Sequence, residues 1–537
     1  MRGPDPGLHT SERPSVLSII GEQSVTSWLE QLESEEGRAT DRLTHLYGTD
    51  QEILASRRML MLRAVETFVR TYGRDRSVVV SRAPGRINLL GNHIDHRGGY
   101  LNYAAINRDT VLVASVNEDD TVRVVNANVD RFPPTEFSIG SLLPEADRGD
   151  WHTYINQTDI LAGRWENYIR APILYLQDNH RNQALKGMDV AVAGDVPIAA
   201  GLSSSSTLVV STFNAATHFN GIEIKRAEQA EFCGAAEWYV GTRGGSGDHA
   251  AMLYSKRQAL LHLRFFPLTT EELPFPPGYR VVACNSFVEH APPGIFNERV
   301  ATYEIGLLML KQANADIADL LEHIRDLTPE TTGKSVSDIY TMLQDLPIRA
   351  TREEIRSRLP EHGDRLKSLF SPHPEPMEGY RIRQVVLYGI GECARSARGG
   401  ELLKSGDLMG FGELKRLSHN GDRQFNTTDS TSDPVDNRVD DDALKTLIKT
   451  APRLSDQPGG YDCSCEELDR LTDIANSVDG CVGAGLTGGG LGGCVLAIVE
   501  ENAVERLVQA VNNEYYAPRG LQDGTLVCSS SEGAGLV

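Results

Sequence analysis

The stretch from residue 188 to residue 219 constrains this chain most. Residues 188–193 read as a strand, Gly194-Asp195-Val196-Pro197 as a turn and residues 208–219 as an apolar helix, with the run Gly201-Leu202-Ser203-Ser204-Ser205-Ser206 between them. Small residues there let an anion approach the backbone N–H groups, and the helix N-terminus adds unpaired donors and a favourable dipole. The run therefore reads as a phosphate loop. It is not of the Walker type, because no Gly-Lys-Ser/Thr follows it. A flexible serine-rich linker is the competing reading, but linkers seldom join a strand to an apolar helix.

The charge balance agrees with a locally gripped anion. With 537 residues and a formal charge of −21, the chain lacks the broad field of Lys and Arg that nucleic acid or an anionic membrane requires. Its 8 cysteines are scattered with no CxxC pair, so neither a zinc ribbon nor a disulfide framework is indicated, and reduced thiols in a cytosolic protein are expected. Neither a signal peptide nor a membrane span is read from the sequence.

Three other stretches carry chemistry. Glu237 falls in the second helix after the phosphate loop, where a carboxylate could hold Mg²⁺ with a serine hydroxyl. Asp248 lies in Gly244-Gly245-Ser246-Gly247-Asp248-His249, where a carboxylate on a glycine turn can orient and deprotonate a hydroxyl. Residues 81–102 set a strand, an Arg-bearing turn at Arg86 and an apolar run before Asn92, His93, Asp95 and His96, a pocket wall for a polar small molecule. Residues 486–494 hold five glycines in six positions before a strand, which implies tight turns or close backbone approach. His93 and His96 have H-x-x-H spacing, yet no third soft ligand accompanies them.

Elsewhere, residues 25–72 repeat apolar positions at helical spacing, and residues 305–375 read as charge-rich helix. Residues 110–116 and 121–125 read as two strands joined by a turn. Residues 165–177, 225–240, 465–477 and 503–515 read as helices and 494–499 as a strand. Residues 426–460 are acidic and polar, and an exposed loop is expected there.

Taken together, APGRINLLGNHIDHRGG, PIAAGLSSSST and LTGGGLGGC resemble the three motifs of the GHMP small-molecule kinases, most closely the galactokinase branch. The resemblance implies a two-domain fold, an α/β N-terminal domain and an α+β C-terminal domain with the active site in the cleft between. Boundaries follow at 77–280 and 281–537, with residues 1–76 a helical extension and insertions near 305–375 and 426–460. It also implies ATP-dependent phosphorylation of a sugar at its anomeric hydroxyl, with Mg²⁺. Asp248 would be the base and Arg86 its electrostatic partner. Gly201, Leu202, Ser203, Ser204 and Ser205 would wrap the phosphates, Ser205 and Glu237 would hold Mg²⁺, and Trp165 and Tyr168 would line the adenine pocket. Asn92, His93, Asp95 and Gly245 would bind the sugar.

Departures bear on the substrate. Galactokinases usually read Gly-Glu-His-Thr-Asp-Tyr, where this chain reads Gly91-Asn92-His93-Ile94-Asp95-His96, a variation similar to plant galacturonokinases. A carboxylate at position 92 would repel a uronate, whereas an amide can donate to one. Phe296 stands where the branch has a sugar-contacting tyrosine. Galactose and galacturonate are thus both open. A sugar and ATP sensor acting through a protein partner without turnover is the alternative from another class; a GHMP kinase for another small molecule is a third.

Overall fold

The structure, a computed structural model, describes residues 21–158, 160, 163–289, 294–427 and 432–537. Helices α1 (Val25–Glu33), α2 (Arg38–Tyr47) and α3 (Gln51–Tyr72) form the lead-in. The Asp50 carboxylate caps α3 by accepting from the Glu52 and Ile53 amides, and Gly73 ends it at φ 89°. Its Leu54, Met61, Ala64, Val65 and Phe68 fall on one buried stripe, the i, i+3, i+4 pattern that a core-facing helix needs.

That stripe packs on a mixed sheet of nine strands among the described residues. Its main path comprises β1 (Ser77–Leu90), β2 (Leu101–Val116), β3 (Thr121–Asn126), β4 (Thr135–Ser138) and β5 (Met188–Gly194), in the order β1-β2-β5-β3-β4. Side chains alternate across it. Val78, Val80, Val111, Val113, Ala191 and Ala193 face the lead-in helices. Val79, Leu112, Ala114, Val190 and Val192 face a second core shared with α4 (Asn167–Asn179), α5 (Ser204–Phe219), α6 (Arg226–Glu237) and α7 (Gly247–Tyr254). Both faces are covered, so the strands are apolar almost throughout.

Two further strands, β6 (Ala259–Arg264) and β7 (Thr269–Pro274), extend this sheet from β2. A second sheet follows, antiparallel and built from β8 (Tyr279–Asn285), β9 (Cys481–Leu486), β10 (Cys494–Glu500) and β11 (Thr525–Cys528) in the order β9-β10-β8-β11. Leu496 and Ile498 of β10 meet Ile87, Leu89 and Leu90 of β1 in one core, which locks the two sheets together. Between β8 and β9 runs a helical region in which α8 (Gly294–Ala313) and α9 (Ile382–Ser405) share a core with the short helices of residues 318–370, while α10 (Leu408–Asp422) packs Leu408, Phe411 and Leu414 into the core between the sheets. Beyond it α11 (Glu466–Ser477) packs on β9 and β10. Among the described residues no helix is long and apolar enough to cross a membrane.

Two expectations change. The Arg-bearing turn is absent: β1 runs unbroken from Ser77 to Leu90, with a register shift between Pro84 and Arg86 where Gly85 lies against Val196 and the Leu202 carbonyl. A β-bulge, not a turn, aims the Arg86 side chain. Nor are residues 426–460 an exposed loop as a whole. An amphipathic helix spans Asp441–Thr450 and buries Leu444, its Asp440 N-cap accepting from two amides. Residues 428–431 of that segment lie outside the described residues.

Candidate active site

One cavity of about 540 Å³ lies where β1, the N-terminus of α5 and the glycine turn after β9 converge. Arg86 is its organising side chain. Its guanidinium meets Asp248 in bidentate fashion, Nε to Oδ1 at 2.7 Å and Nη2 to Oδ2 at 2.6 Å. Nη1 donates to the Gly201 carbonyl at 2.5 Å, which ties the phosphate loop to the same side chain. Asp248 sits in the first turn of α7 and also accepts from Ser203 Oγ at 2.5 Å and Tyr103 Oη at 3.3 Å. Burial pushes its carboxyl up, but the charge and hydrogen bonds of Arg86 and the Ser203 hydroxyl outweigh burial and hold it below the usual carboxylate range.

Glycine is required where these pieces touch. A Cβ on Gly201 would stand 2.8 Å from the Thr487 carbonyl oxygen, and one on Gly488 would stand 2.9 Å from that of Gly201. The two glycine turns therefore abut backbone to backbone. A Cβ on Gly245 would meet Asp95 Oδ2 at 2.3 Å, so Gly245 serves to let the Asp95 loop close in.

Further along the cavity, His93 stands at φ 63° with its ring stacked on Tyr461 at 4.3 Å and Nε2 3.5 Å from Asp422 Oδ1. Asp95 bonds His96 Nδ1 at 2.8 Å. Burial raises the Asp95 carboxyl, but His96 and the Gly247 amide outweigh it and bring it down to about 2. Trp165 and Tyr168 line the opposite end beside Phe132, whose ring centroid is 5.6 Å from that of Trp165. Glu237, Ser204, Ser205 and Ser206 line the stretch between.

Three residues sit otherwise than the sequence suggests: Leu202 does not line the cavity and is buried in the core between the two sheets. Asn92 is not among the lining residues. Its side chain is buried, Nδ2 donating to the Leu486 carbonyl at 3.2 Å and Oδ1 accepting from Asn88 at 3.2 Å, so its hydrogen bonds point into the protein. Ser205 lines the cavity, but the hydroxyl that donates to Glu237 Oε2, at 2.8 Å, is that of Ser206. His249 Nε2 approaches the same oxygen at 2.8 Å.

Three family models match in chain order: "Galactokinase galactose-binding signature" over residues 66–116, "GHMP kinases N terminal domain" over 167–256 and "GHMP kinases C terminal" over 442–517. The chain is a GHMP kinase of the galactokinase branch. Its curated relatives include a galactokinase of Roseiflexus sp. (strain RS-1), 29% identical over 88% of this chain and 96% of the relative. Another is a galactokinase of Dictyostelium discoideum, 26% identical over 84% of this chain and 87% of the relative. Among solved structures, Lactococcus lactis galactokinase complexed with galactose superposes with a TM-score of 0.64 at 22% identity, over 88% of this chain and 98% of that one. The fold is thus that of the GHMP kinases. This GHMP kinase is an enzyme of the sugar kinase class, transferring a phosphoryl group to a hydroxyl.

Sequence reasoning missed Tyr103, Phe132 and Ser206 as lining residues. Tyr103 sits within a strand, with nothing in its neighbours to mark it. Ser206 is one more serine in a run of four.

Proposed function

We propose that this kinase transfers the γ-phosphoryl group of ATP to the anomeric hydroxyl of a neutral, galactose-like sugar. The observation that carries the choice of a neutral sugar is the charge of the cavity. Arg86 is the one Lys or Arg among the described lining residues, and Asp248 holds it, while Asp95 adds a further carboxylate at the sugar end. With Glu237 also lining the cavity, a uronate would bring a fourth carboxylate, with no unpaired Lys or Arg among the described lining residues to meet it. The Asn92 amide, the group that favours galacturonate on sequence grounds, is committed to Leu486 and Asn88.

Phosphoryl transfer needs positioning and charge stabilisation more than covalent chemistry. Arg86, joined to both Asp248 and the Gly201 carbonyl, fixes the base relative to the phosphate loop. Each Asp248 oxygen already accepts two hydrogen bonds, so an incoming sugar hydroxyl takes the place of Ser203 or Tyr103. An aspartate held below its usual range is a weak base, which suits a loose transition state in which the hydroxyl is aligned first and loses its proton late.

Trp165, Tyr168 and Phe132 offer an aromatic slot for adenine, and His93 and Asp95 offer polar contacts to sugar hydroxyls. Mg²⁺ fits the donors present. The described residues hold no cluster of three His, Cys, Asp or Glu that could cage a metal, but Glu237 and the hydroxyls of Ser205 and Ser206 supply hard oxygens that nucleotide phosphates would complete. When bound there, Mg²⁺ would neutralise phosphate charge. A sensor without turnover is not favoured, because Arg86, Asp248 and the phosphate loop are assembled at bonding distance. The test is sugar-dependent ADP release with Mg·ATP. Turnover of galacturonate in preference to galactose would overturn the neutral-sugar reading.

A further inference from the structure

Lys415 lies on α10, outside the three main motifs, with 1% of its surface exposed. Its Nζ donates to the Leu486 carbonyl at 2.7 Å, the same oxygen that takes the Asn92 amide. No carboxylate forms an ion pair with it among the described residues. Charged and titratable groups do face it from each side: Glu392 from α9, and Asp422 and His419 from its own helix. Glu392 is engaged by Arg395, Ser418 and the Gly91 amide, and His419 by Asp469 of α11. A buried ammonium whose partner is a carbonyl is a poor source of stability. What it does achieve is to pin the end of β9.

The consequence travels a short way. Thr487, the next residue, exchanges hydrogen bonds with Asn88, its Oγ1 donating to the Asn88 carbonyl at 3.2 Å and accepting from the Asn88 amide at 3.1 Å. Gly488, Gly489 and Gly490 then line the cavity, with Gly488 packed on the Gly201 backbone. Gly201 in turn holds Arg86. We propose that Lys415 is a positioning residue: with Asn92 it fixes the Leu486 carbonyl, and so sets the glycine turn 488–490 against the phosphate loop and Arg86.

The inference rests on the kinase reading and adds a pH signature to it. Burial pulls the Lys415 ammonium down to about 8 from 10.5, with Glu392 and Asp422 only partly offsetting. Its charge is therefore present below pH 8 and lost above it. The unfolded chain keeps that proton up to about pH 10.5, so between the two values this group makes the fold more stable as pH rises. Function and stability move in opposite directions.

The test compares wild type with Lys415→Met, measuring galactose-dependent turnover with Mg·ATP from pH 6.5 to 9.5, Mg·ATP affinity by calorimetry, and urea midpoints. Expected are an alkaline fall in wild-type kcat centred near pH 8, and a variant with kcat and ATP affinity each about tenfold lower at pH 7.5. The variant's alkaline fall should be gone and its urea midpoint unchanged or higher. Wild-type ATP affinity in the variant, or an alkaline fall that persists in it, overturns the proposal; so does a lowered urea midpoint, which would make Lys415 a structural residue. Calorimetry needs no turnover, so absence of galactose phosphorylation in wild type would count against the kinase substrate and leave the Lys415 result readable.

Discussion

At the proposed phosphoryl end of the cavity Asp248 accepts four hydrogen bonds and faces Arg86, whereas at the proposed sugar end His93 stacks on Tyr461 and Asp95 pairs with His96, and no Lys or Arg besides Arg86 is among the described lining residues. The first end is preset for a reaction that builds negative charge: its donors are fixed before any ligand arrives. The second is shaped by close contacts, Gly245 against Asp95 and His93 on Tyr461, which select by fit and hydroxyl pattern. Rate should therefore depend on the phosphoryl end and substrate choice on the sugar end, with little crossing between them.

The largest break expected in that division is Asp248→Asn, which removes the proposed base and should cut kcat by roughly 10²–10⁴ while calorimetry finds ATP binding little changed. Wild-type turnover in that variant would remove Asp248 from the reaction. Next, Arg86→Met should lower kcat by roughly 10²–10³ and raise the acidity range over which Asp248 titrates, since the guanidinium is what holds that carboxyl down. The expected sign is an acid limb of the pH–rate profile moved to higher pH. Trp165→Ala should raise the KM for ATP by about tenfold through loss of an aromatic wall, with the KM for sugar unaltered. The smallest effect is the sharpest for the sugar end. Asn92→Leu should leave the galactose to galacturonate ratio of kcat/KM unchanged, while a urea melt records a loss of about 1–3 kcal/mol from the buried hydrogen bonds to Leu486 and Asn88 that it removes.

The motifs were legible because their chemistry forces unusual composition: backbone that must approach backbone is glycine, and an anion site at a helix N-terminus is small and polar. Arg86, Gly201, Ser203, Asp248, His93 and Asp95 all line the cavity for that reason. Orientation was not legible. A register shift between Asn88 and Leu90, followed by Gly91 at φ 100°, rotates Asn92 out of the cavity, and a one-residue bulge leaves no mark in composition. Ser205 and Ser206 illustrate the same limit in a helix, where neighbours point about 100° apart and only the placement of α6 decides which meets Glu237. The acidity of residues 426–460 hid the periodicity of Leu444, Leu447 and Ile448, which pack on the helical core. Lys415 falls in FGELKRLSH, a stretch that weakly resembles the galactokinase branch, but nothing there marks its burial, since a lysine in a helix is ordinarily a solvated one.

One competition decides which sugar the cavity takes. Purified protein given equal galactose and galacturonate with Mg·ATP, and followed by phosphorus NMR, should yield a sugar 1-phosphate from galactose at a kcat/KM at least tenfold above that for galacturonate. A uronate 1-phosphate as the main product would contradict the neutral-sugar assignment and return the sugar end of the cavity to a carboxylate.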